Sequence, residues 1–220
     1  MESIRSQVSK NSDGGFMLKD ANIYMSDLKT LNDGECVNDM VIHYYLRILE
    51  LQYHTEQQPK TIQFIMPCTI QFIQAFPIEI VKESLSNDFF EGFRYFILPL
   101  SNFNTESLSS SHWSLLIVLR NAQSLEFYHY DSLAQSNSSA ARELATKIAN
   151  ILSIENYNYK GINSNSQINS YDCGVYVMAY VKAFLDSKYD ITKVTEGITP
   201  EKIYNFRHQI KQDILKTFPK

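Results

Sequence analysis

The stretch S-H-W-S-L-L-I-V-L-R-N-A-Q-S-L-E-F-Y-H-Y-D, Ser111 to Asp131, holds two runs of β-branched and aromatic residues separated by a short polar turn. This composition is typical of β-strands, and the turn at Asn121-Ala122-Gln123 favours an antiparallel hairpin. In a hairpin, the beginning of one strand lies beside the end of the other. The hairpin therefore predicts that His112 and Asp131 meet at one edge of a β-sheet.

Further strands and helices are predicted on both sides of this hairpin. F-R-Y-F-I-L-P-L (93–100) predicts a strand before it, and Y-N-Y-K-G-I (157–162) predicts a short strand after it. Between them, S-N-S-S-A-A-R-E-L-A-T-K-I-A-N-I-L predicts a helix capped by Ser138 or Ser139. F-I-M-P-C-T-I-Q-F-I-Q-A-F (64–76) predicts a short extended piece that leads into a helix.

The two ends of the chain predict helices. Asn38 or Asp39 can cap a helix whose following apolar residues recur at helical spacing. C-G-V-Y-V-M-A-Y-V-K-A-F-L (173–185) is apolar on all sides until Lys182, which predicts a buried helix, and residues 200–217 predict an amphipathic surface helix. We therefore expect one α+β domain with a central mixed β-sheet flanked by helices.

Length and composition agree with a single domain. The chain has 220 residues, of which 44% are hydrophobic and 20% charged, enough for one large core. Residues 1–15, polar and ending in Gly14-Gly15, predict a flexible leader, and 16–220 predict the domain. Neither a signal peptide nor an apolar run of about 20 residues is present, which favours the cytoplasm or nucleus. The net charge of −4 argues against nucleic acid as a partner.

The three cysteines, Cys36, Cys68 and Cys173, are widely spaced and include no C-x-x-C pair. Neither a disulfide framework nor a zinc site is indicated. Cys173 opens the predicted buried helix, where the backbone N–H groups of the first turn would stabilise a thiolate. The alternative is that Cys173 fills the core, as free cysteines often do. Cys36 and Cys68 have no partner histidine at an element boundary, which favours a structural role for both.

A nucleophilic thiol needs a base, a group that orients the base, and donors for an oxyanion. His112 and Asp131 fit the first two needs, and the side-chain amide of Gln167 and the backbone N–H of Cys173 fit the third. Simpler explanations remain: His112 as a solvated strand-end residue and Asp131 as a turn former. His129 is an alternative base, but it shares a strand face with Asp131, where packing or a polar contact suits it better.

The motifs H-W-S-L, Y-D-S and Q-I-N-S-Y-D-C-G, in this order, resemble the ubiquitin-like-protein-specific (Ulp or sentrin-specific) cysteine protease family. The resemblance extends from about Leu28 to the C-terminal helix, and papain differs because its cysteine comes first. It implies the Ulp-type fold, with Cys173 as nucleophile at the N-terminus of a buried helix. It also implies His112 as base, Asp131 as its orienting group and Gln167 in the oxyanion hole, with no cofactor or metal.

The resemblance also implies residues that bind the substrate. In the family, the tryptophan after the catalytic histidine covers the diglycine tail of the modifier, and Trp113 matches it. A second tryptophan belongs to a W-L-N-D motif, which here reads C-V-N-D. Cys36 therefore stands where a tryptophan is expected, whereas Asp39 is retained. This departure makes one wall of the implied tail tunnel thinner.

Within the family, S-N-S-S-A-A-R-E-L-A-T-K-I and S-Q-I-N-S-Y-D-C-G resemble the deneddylase branch, whose members cleave after the C-terminal Gly-Gly of the neddylation modifier. We therefore expect a monomeric thiol isopeptidase, acting on this ubiquitin-like modifier and its conjugates, with precursor processing as a second activity. One alternative is a desumoylating protease with the same chemistry. The others are a non-catalytic module that binds a ubiquitin-like protein, and acyl transfer from a thioester donor, which the missing cofactor-binding signature disfavours.

Overall fold

The computed structural model describes residues 1–53, 61–86, 88–102, 110–164 and 167–219. The chain divides into two compact units: unit 1 consists of Met1–Gln57 and Gln167–Lys220, and unit 2 of Gln58–Ser166. The helices are α1 (Glu2–Arg5), α2 (Asp39–Tyr53), α3 (Pro67–Ala75), α4 (Ile78–Ser84), α5 (Ser138–Ile151), α6 (Cys173–Asp186) and α7 (Pro200–Thr217). The strands are β1 (Val8–Lys10), β2 (Phe16–Leu18), β3 (Ala21–Ile23), β4 (Ile62–Phe64), β5 (Tyr95–Ser101), β6 (Trp113–Arg120), β7 (Leu125–Tyr130) and β8 (Tyr157–Ile162). In the part of the chain so described, no helix is long and apolar enough to cross a membrane.

Unit 2 is built on a five-stranded mixed sheet in the order β4-β5-β6-β7-β8. The β5–β6 and β6–β7 pairs are antiparallel, whereas β4–β5 and β7–β8 are parallel. In the central pair, Leu115 lies opposite Tyr130 and Arg120 lies opposite Leu125. The predicted hairpin and mixed sheet are therefore confirmed.

Helices α3 and α5 pack against this sheet and against each other, and α4 packs against both helices. Apolar residues of α5 that recur at helical spacing, among them Leu144 and Ile148, join the core with residues from β5, β6 and β7. The helix was predicted with a cap at Ser138 or Ser139, but its N-cap is Asn137. The predicted cap is therefore wrong. The Asn137 side chain makes no capping hydrogen bond and instead donates to His112 O and Ser114 Oγ at the sheet edge, partners that the local sequence pattern does not reveal.

Unit 1 packs α2, α6 and α7 together, with the short antiparallel sheet β1-β2-β3 beside α2. The predicted cap of α2 is confirmed, since Asn38 Oδ1 accepts a hydrogen bond from the Val41 backbone N–H at 3.0 Å. Helix α6 is buried along most of its length, as its continuous apolar sequence predicts. Helix α7 has the predicted bounds and buries Ile203, Ile210 and Ile214.

Residues 1–15, predicted as a flexible leader, instead contain α1 and β1. Ile4 is buried, and Arg5 donates from Nε and Nη2 to the carbonyl of Lys216 at 2.9 and 2.7 Å. Strand β1 pairs with β2. The prediction is wrong for these residues because their partners lie far along the sequence, where local composition gives no signal.

Gly174 is the second residue of α6 and packs directly against the segment before α2. A Cβ at this position would lie 3.0 Å from Val37 Cβ and 3.4 Å from Ile42 Cδ1. Alanine favours a helix over glycine by about 1 kcal/mol, but overpacking costs about 1–3 kcal/mol. We predict that Gly174→Ala lowers the melting temperature by a few degrees. An unchanged or higher melting temperature would show that this contact yields without cost.

Candidate active site

His112 and Asp131 lie side by side at one edge of the unit 2 sheet. His112 directly precedes β6, Asp131 directly follows β7, and the distance from His112 Nε2 to Asp131 Oδ1 is 2.6 Å. Both residues are buried, with exposed fractions of 5% and 2%. The hairpin register thus brings together the two residues that the sequence selects as base and orienting group, and it excludes a solvated strand-end position for His112.

The Asp131 carboxylate has further hydrogen bonds from the turn that follows β7. Oδ1 accepts from the Leu133 backbone N–H at 2.8 Å, and Oδ2 accepts from the Asn137 backbone N–H at 2.9 Å. Burial alone would raise the pKa of Asp131, but the hydrogen bonds from His112, Asn137 and Leu133 outweigh it and lower the pKa. The carboxylate is therefore ionised at neutral pH and can stabilise an imidazolium at His112.

His129 occupies a different polar environment on the same strand. Its Nε2 lies 2.9 Å from Ser114 Oγ, and its Nδ1 lies 3.1 Å from Gln135 Oε1 and 2.9 Å from the Tyr159 hydroxyl. Burial lowers the pKa of His129, so the ring is neutral at neutral pH. These contacts support the expectation that His129 makes a polar packing contact, and the imidazole that binds Asp131 is that of His112.

Trp113, predicted to cover the substrate tail, is the first residue of β6 and lies opposite Ser101 of β5. Its exposed fraction is 8%. The ladder of β5 and β6 thus fixes the backbone of Trp113 directly beside His112.

In unit 1, Cys173 is the first residue of α6, and its exposed fraction is 2%. All three cysteines are free. Cys173 is therefore placed at the start of a buried helix, as the sequence predicts. Within the described ranges, no group of three or more His, Cys, Asp or Glu side chains could hold a metal ion.

Gln167 lies in the loop before α6, with an exposed fraction of 9%. Its Nε2 donates to the carbonyl of Asn169 at 2.5 Å. Asn169 Oδ1 in turn accepts from the backbone N–H groups of Tyr171 and Asp172 at 3.1 and 3.0 Å. Gln167 thus stabilises the turn that directly precedes Cys173. Its contact with an oxyanion stays a prediction.

Cys36 lies beside the same turn, with its Sγ 3.9 Å from the carbonyl of Ser170. Partial burial raises the pKa of the Cys36 thiol, and the nearby Cys173 has a smaller effect in the same direction. Cys36 and Cys68 are both exposed, so a structural role for either would lie at the surface. Asp39, the retained acidic residue, begins α2 and accepts from the Met40 backbone N–H at 3.0 Å.

Sequence reasoning missed a buried ion pair next to Cys173. Asp172 Oδ1 lies 2.8 Å from Arg207 Nε and 2.7 Å from Arg207 Nη2. The exposed fractions of Asp172 and Arg207 are 6% and 1%. A sequence signal existed, because Arg207 falls in the apolar stripe of α7 between Ile203 and Ile210, where a charged residue requires a buried partner.

The model of the Ulp1 protease family, for its C-terminal catalytic domain, matches residues 35–220. The chain belongs to the Ulp1 protease family. The matched catalytic domain therefore includes residues of both units. The predicted enzyme class, a cysteine protease that acts on ubiquitin-like modifiers, is confirmed.

Relatives of this Ulp1-family chain carry more specific names. The human sentrin-specific protease 8 is 28% identical over 208 residues, which cover 91% of this chain and 95% of that protein. The NEDD8-specific protease 1 of Arabidopsis thaliana is 30% identical over 172 residues, which cover 76% of this chain and 74% of that protein.

Solved structures confirm the predicted Ulp-type α+β fold. A de-sumoylating protease matches with a TM-score of 0.66 at 17% identity, covering 96% of this chain and 92% of that one. The Ulp1 protease domain in complex with Smt3, the yeast ortholog of SUMO, matches with a TM-score of 0.63 at 18% identity, covering 96% and 87%. At these identities the likeness concerns the fold alone.

We predict that Asp131→Asn lowers kcat/KM on a modifier–fluorophore substrate by at least about 10-fold, or roughly 1.4 kcal/mol. The amide keeps the shape but no longer stabilises an imidazolium at His112. Glu126→Gln is the matched control, because it makes the same carboxylate-to-amide change on β7, in a partly exposed ion pair with Lys160 of β8. Retention of more than about a tenth of the wild-type value would exclude Asp131 as the orienting group.

Proposed function

We propose that this Ulp1-family protease is a deneddylase, a thiol isopeptidase that cleaves after the C-terminal Gly-Gly of the neddylation modifier. Removal of the modifier from conjugates is the main proposed activity, and precursor processing is the second. The observation that carries the proposal is the similarity to the NEDD8-specific protease of Arabidopsis and, over almost the full length of both chains, to human sentrin-specific protease 8. The cytoplasm or nucleus as location and a monomeric state are proposed from the sequence.

In the proposed mechanism, Cys173 Sγ attacks the carbonyl carbon of the last glycine. Because Asp131 binds Nε2 of His112, the transfer of the thiol proton falls to Nδ1 of the same ring. The backbone N–H of Cys173 and the amide of Gln167 then stabilise the oxyanion. His112 protonates the leaving amine, and water hydrolyses the thioester to release the modifier with a free carboxylate.

The proposed role of Gln167 is compatible with its hydrogen bond in the structure. Its Nε2 donates to the Asn169 carbonyl, and a side-chain amide nitrogen carries two N–H donors. One oxyanion donor contributes about 10²-fold to kcat.

The diglycine tail offers no side chain for recognition, so selectivity must come from excluding residues with a Cβ. We propose that Trp113 covers the tail and that Cys36 and Asp39 also contact it. A cysteine gives less apolar surface than an indole, so more of the binding energy must come from the folded body of the modifier. Such remote binding energy orders a flexible tail for attack.

The desumoylating alternative has the same chemistry and rests on structures whose names refer to SUMO. Their identities of 17% and 18% carry only the fold, whereas the NEDD8-specific relative is 30% identical. A non-catalytic binding module would not need the His112–Asp131 pair or the thiol of Cys173. Deneddylation is therefore the function we put first.

A panel of modifier–fluorophore substrates tests the proposal. We expect the substrate built on NEDD8 to be cleaved with the highest kcat/KM, ahead of those built on SUMO and ubiquitin. Cys173→Ala should abolish turnover of all of them without changing the melting temperature by more than a few degrees, because no other group can form the thioester. Faster cleavage of the SUMO substrate would replace deneddylation by desumoylation, and turnover by Cys173→Ala would remove Cys173 as nucleophile.

Cys36→Trp tests the proposed tail wall. If Cys36 lies against the tail, an indole could bury about 100 Å² more and lower KM by roughly 10-fold, which corresponds to 1–2 kcal/mol. The exposed position of Cys36 gives the ring room. Steady-state kinetics and thermal melting on the same variant decide the matter: a lower KM with an unchanged melting temperature supports the wall, and a lower melting temperature with unchanged KM contradicts it.

A further inference from the structure

Asp172 occupies the N-cap position of α6 without capping the helix. Aspartate is preferred at this position because its carboxylate accepts from the backbone N–H groups of the first turn. Here the side chain makes no capping hydrogen bond. Its Oδ1 instead binds Nε and Nη2 of Arg207 at 2.8 and 2.7 Å, and its Oδ2 accepts from Asn169 Nδ2 at 2.7 Å. The carboxylate is thus held away from the helix that begins with Cys173.

Arg207 is fixed by carbonyl groups as well as by Asp172. Its Nη1 donates to the carbonyls of Thr30, Asn32 and Glu35 at 3.0, 3.2 and 3.0 Å, and its Nη2 donates to that of Tyr171 at 3.0 Å. With an exposed fraction of 1%, the guanidinium has little access to water. Its planar fork is therefore fixed in one orientation, and so is the carboxylate that it binds.

We propose that Arg207 is a positioning residue that keeps the Asp172 carboxylate off the first turn of α6. The backbone N–H groups of that turn then serve the Cys173 thiolate and the oxyanion rather than a side-chain cap. The inference rests on the proposed function, in which Cys173 is the nucleophile and its N–H an oxyanion donor. Arg207 also neutralises a carboxylate that would otherwise disfavour an anion at the adjacent thiol.

A purely structural role for Arg207 is the competing explanation. Buried ion pairs contribute little net stability against apolar replacements, although removal of one partner leaves an uncompensated charge. Arg207→Met would therefore destabilise the fold under either explanation. The two explanations differ for the double variant, in which the Asp172 carboxylate is removed as well. If Arg207 is only structural, Asp172→Ala restores no activity, because it cannot replace the hydrogen bonds from Arg207 to the surrounding carbonyls.

The experiment compares Arg207→Met with the double variant Arg207→Met/Asp172→Ala. Turnover of the NEDD8–aminomethylcoumarin substrate is measured well below the melting temperature and divided by the sites titrated with an electrophilic NEDD8 probe, so that unfolded molecules do not count. We expect kcat per site to fall about 10-fold or more in the single variant, with KM changed less than about 2-fold. We expect the double variant to recover most of that loss. A double variant no faster than the single one would overturn the proposal.

Arg47→Met is the matched control. Arg47 is another largely buried arginine of unit 1, and it pairs with Asp20 and Glu50 at 2.6 Å. Its loss should lower the melting temperature but leave kcat per titrated site within about 2-fold of wild type. If Arg207→Met does not fold, Arg207→Lys replaces it, since lysine keeps the charge but cannot bind Asp172 and the loop carbonyls together. Its loss of kcat must likewise be relieved by Asp172→Ala, or the proposal fails.

Alkylation of Cys173 by iodoacetamide gives a readout that needs no modifier. In Arg207→Met the released carboxylate should slow alkylation several-fold, and Asp172→Ala should restore it. If wild type cleaves no NEDD8 substrate but the alkylation rates follow this order, the proposed function fails and the positioning role stands. Equal alkylation rates in the two variants would overturn the positioning role alone.

Discussion

The antiparallel ladder between β6 and β7 fixes the geometry on which the chemistry of unit 2 depends. Its register, with Leu115 opposite Tyr130, leaves the residues just outside the ladder at a single sheet edge. Asp131 directly follows β7 at this edge, His112 directly precedes β6, and a hydrogen bond of 2.6 Å joins their side chains. A shift of one residue in the pairing would turn the side chains of one strand to the other face. The many buried apolar residues of both strands make such a shift costly, so the stability of the core also maintains the pair.

Two buried carboxylates in this protein are held by opposite arrangements. Asp131 accepts two backbone N–H groups from its own turn and points its charge at an imidazole, which benefits from an anion. Asp172 stands at a helix start whose N–H groups it could bind, yet Arg207 and Asn169 take both of its oxygens. In the proposed mechanism, a carboxylate stabilises the protonated ring of His112 but would disfavour an anion at Cys173. The local hydrogen bonds therefore determine which neighbouring group each carboxylate interacts with.

The sequence predicted those parts of the structure that depend on local patterns. The β6–β7 hairpin, the bounds of α7 and the burial of α6 follow from alternation, helical periodicity and an unbroken apolar run. The sheet β1-β2-β3 was missed because its strands have three residues each and pair through contacts that no period reveals. Local patterns also do not reveal the partners of Asn137 and Arg207. The Asn137 side chain binds the sheet edge instead of its own helix, and Arg207 binds residues 30–35 and 171–172. The positions of the candidate site residues were predictable from motifs, whereas their supporting hydrogen bonds were not.

Unit 1 links the proposed tail-binding residue to the proposed nucleophile by two independent contacts. Arg207 donates to the carbonyl of Glu35, directly before Cys36, and also binds Asp172, directly before Cys173. One residue further along each segment, Val37 packs against Gly174 so closely that a Cβ there would lie 3.0 Å from Val37 Cβ. Contacts of a substrate tail with Cys36 would therefore act on a backbone that is hydrogen-bonded through Arg207, and packed through Val37, to the start of α6. For the proposed diglycine tail, this connection would give remote binding energy a direct route to the geometry of attack.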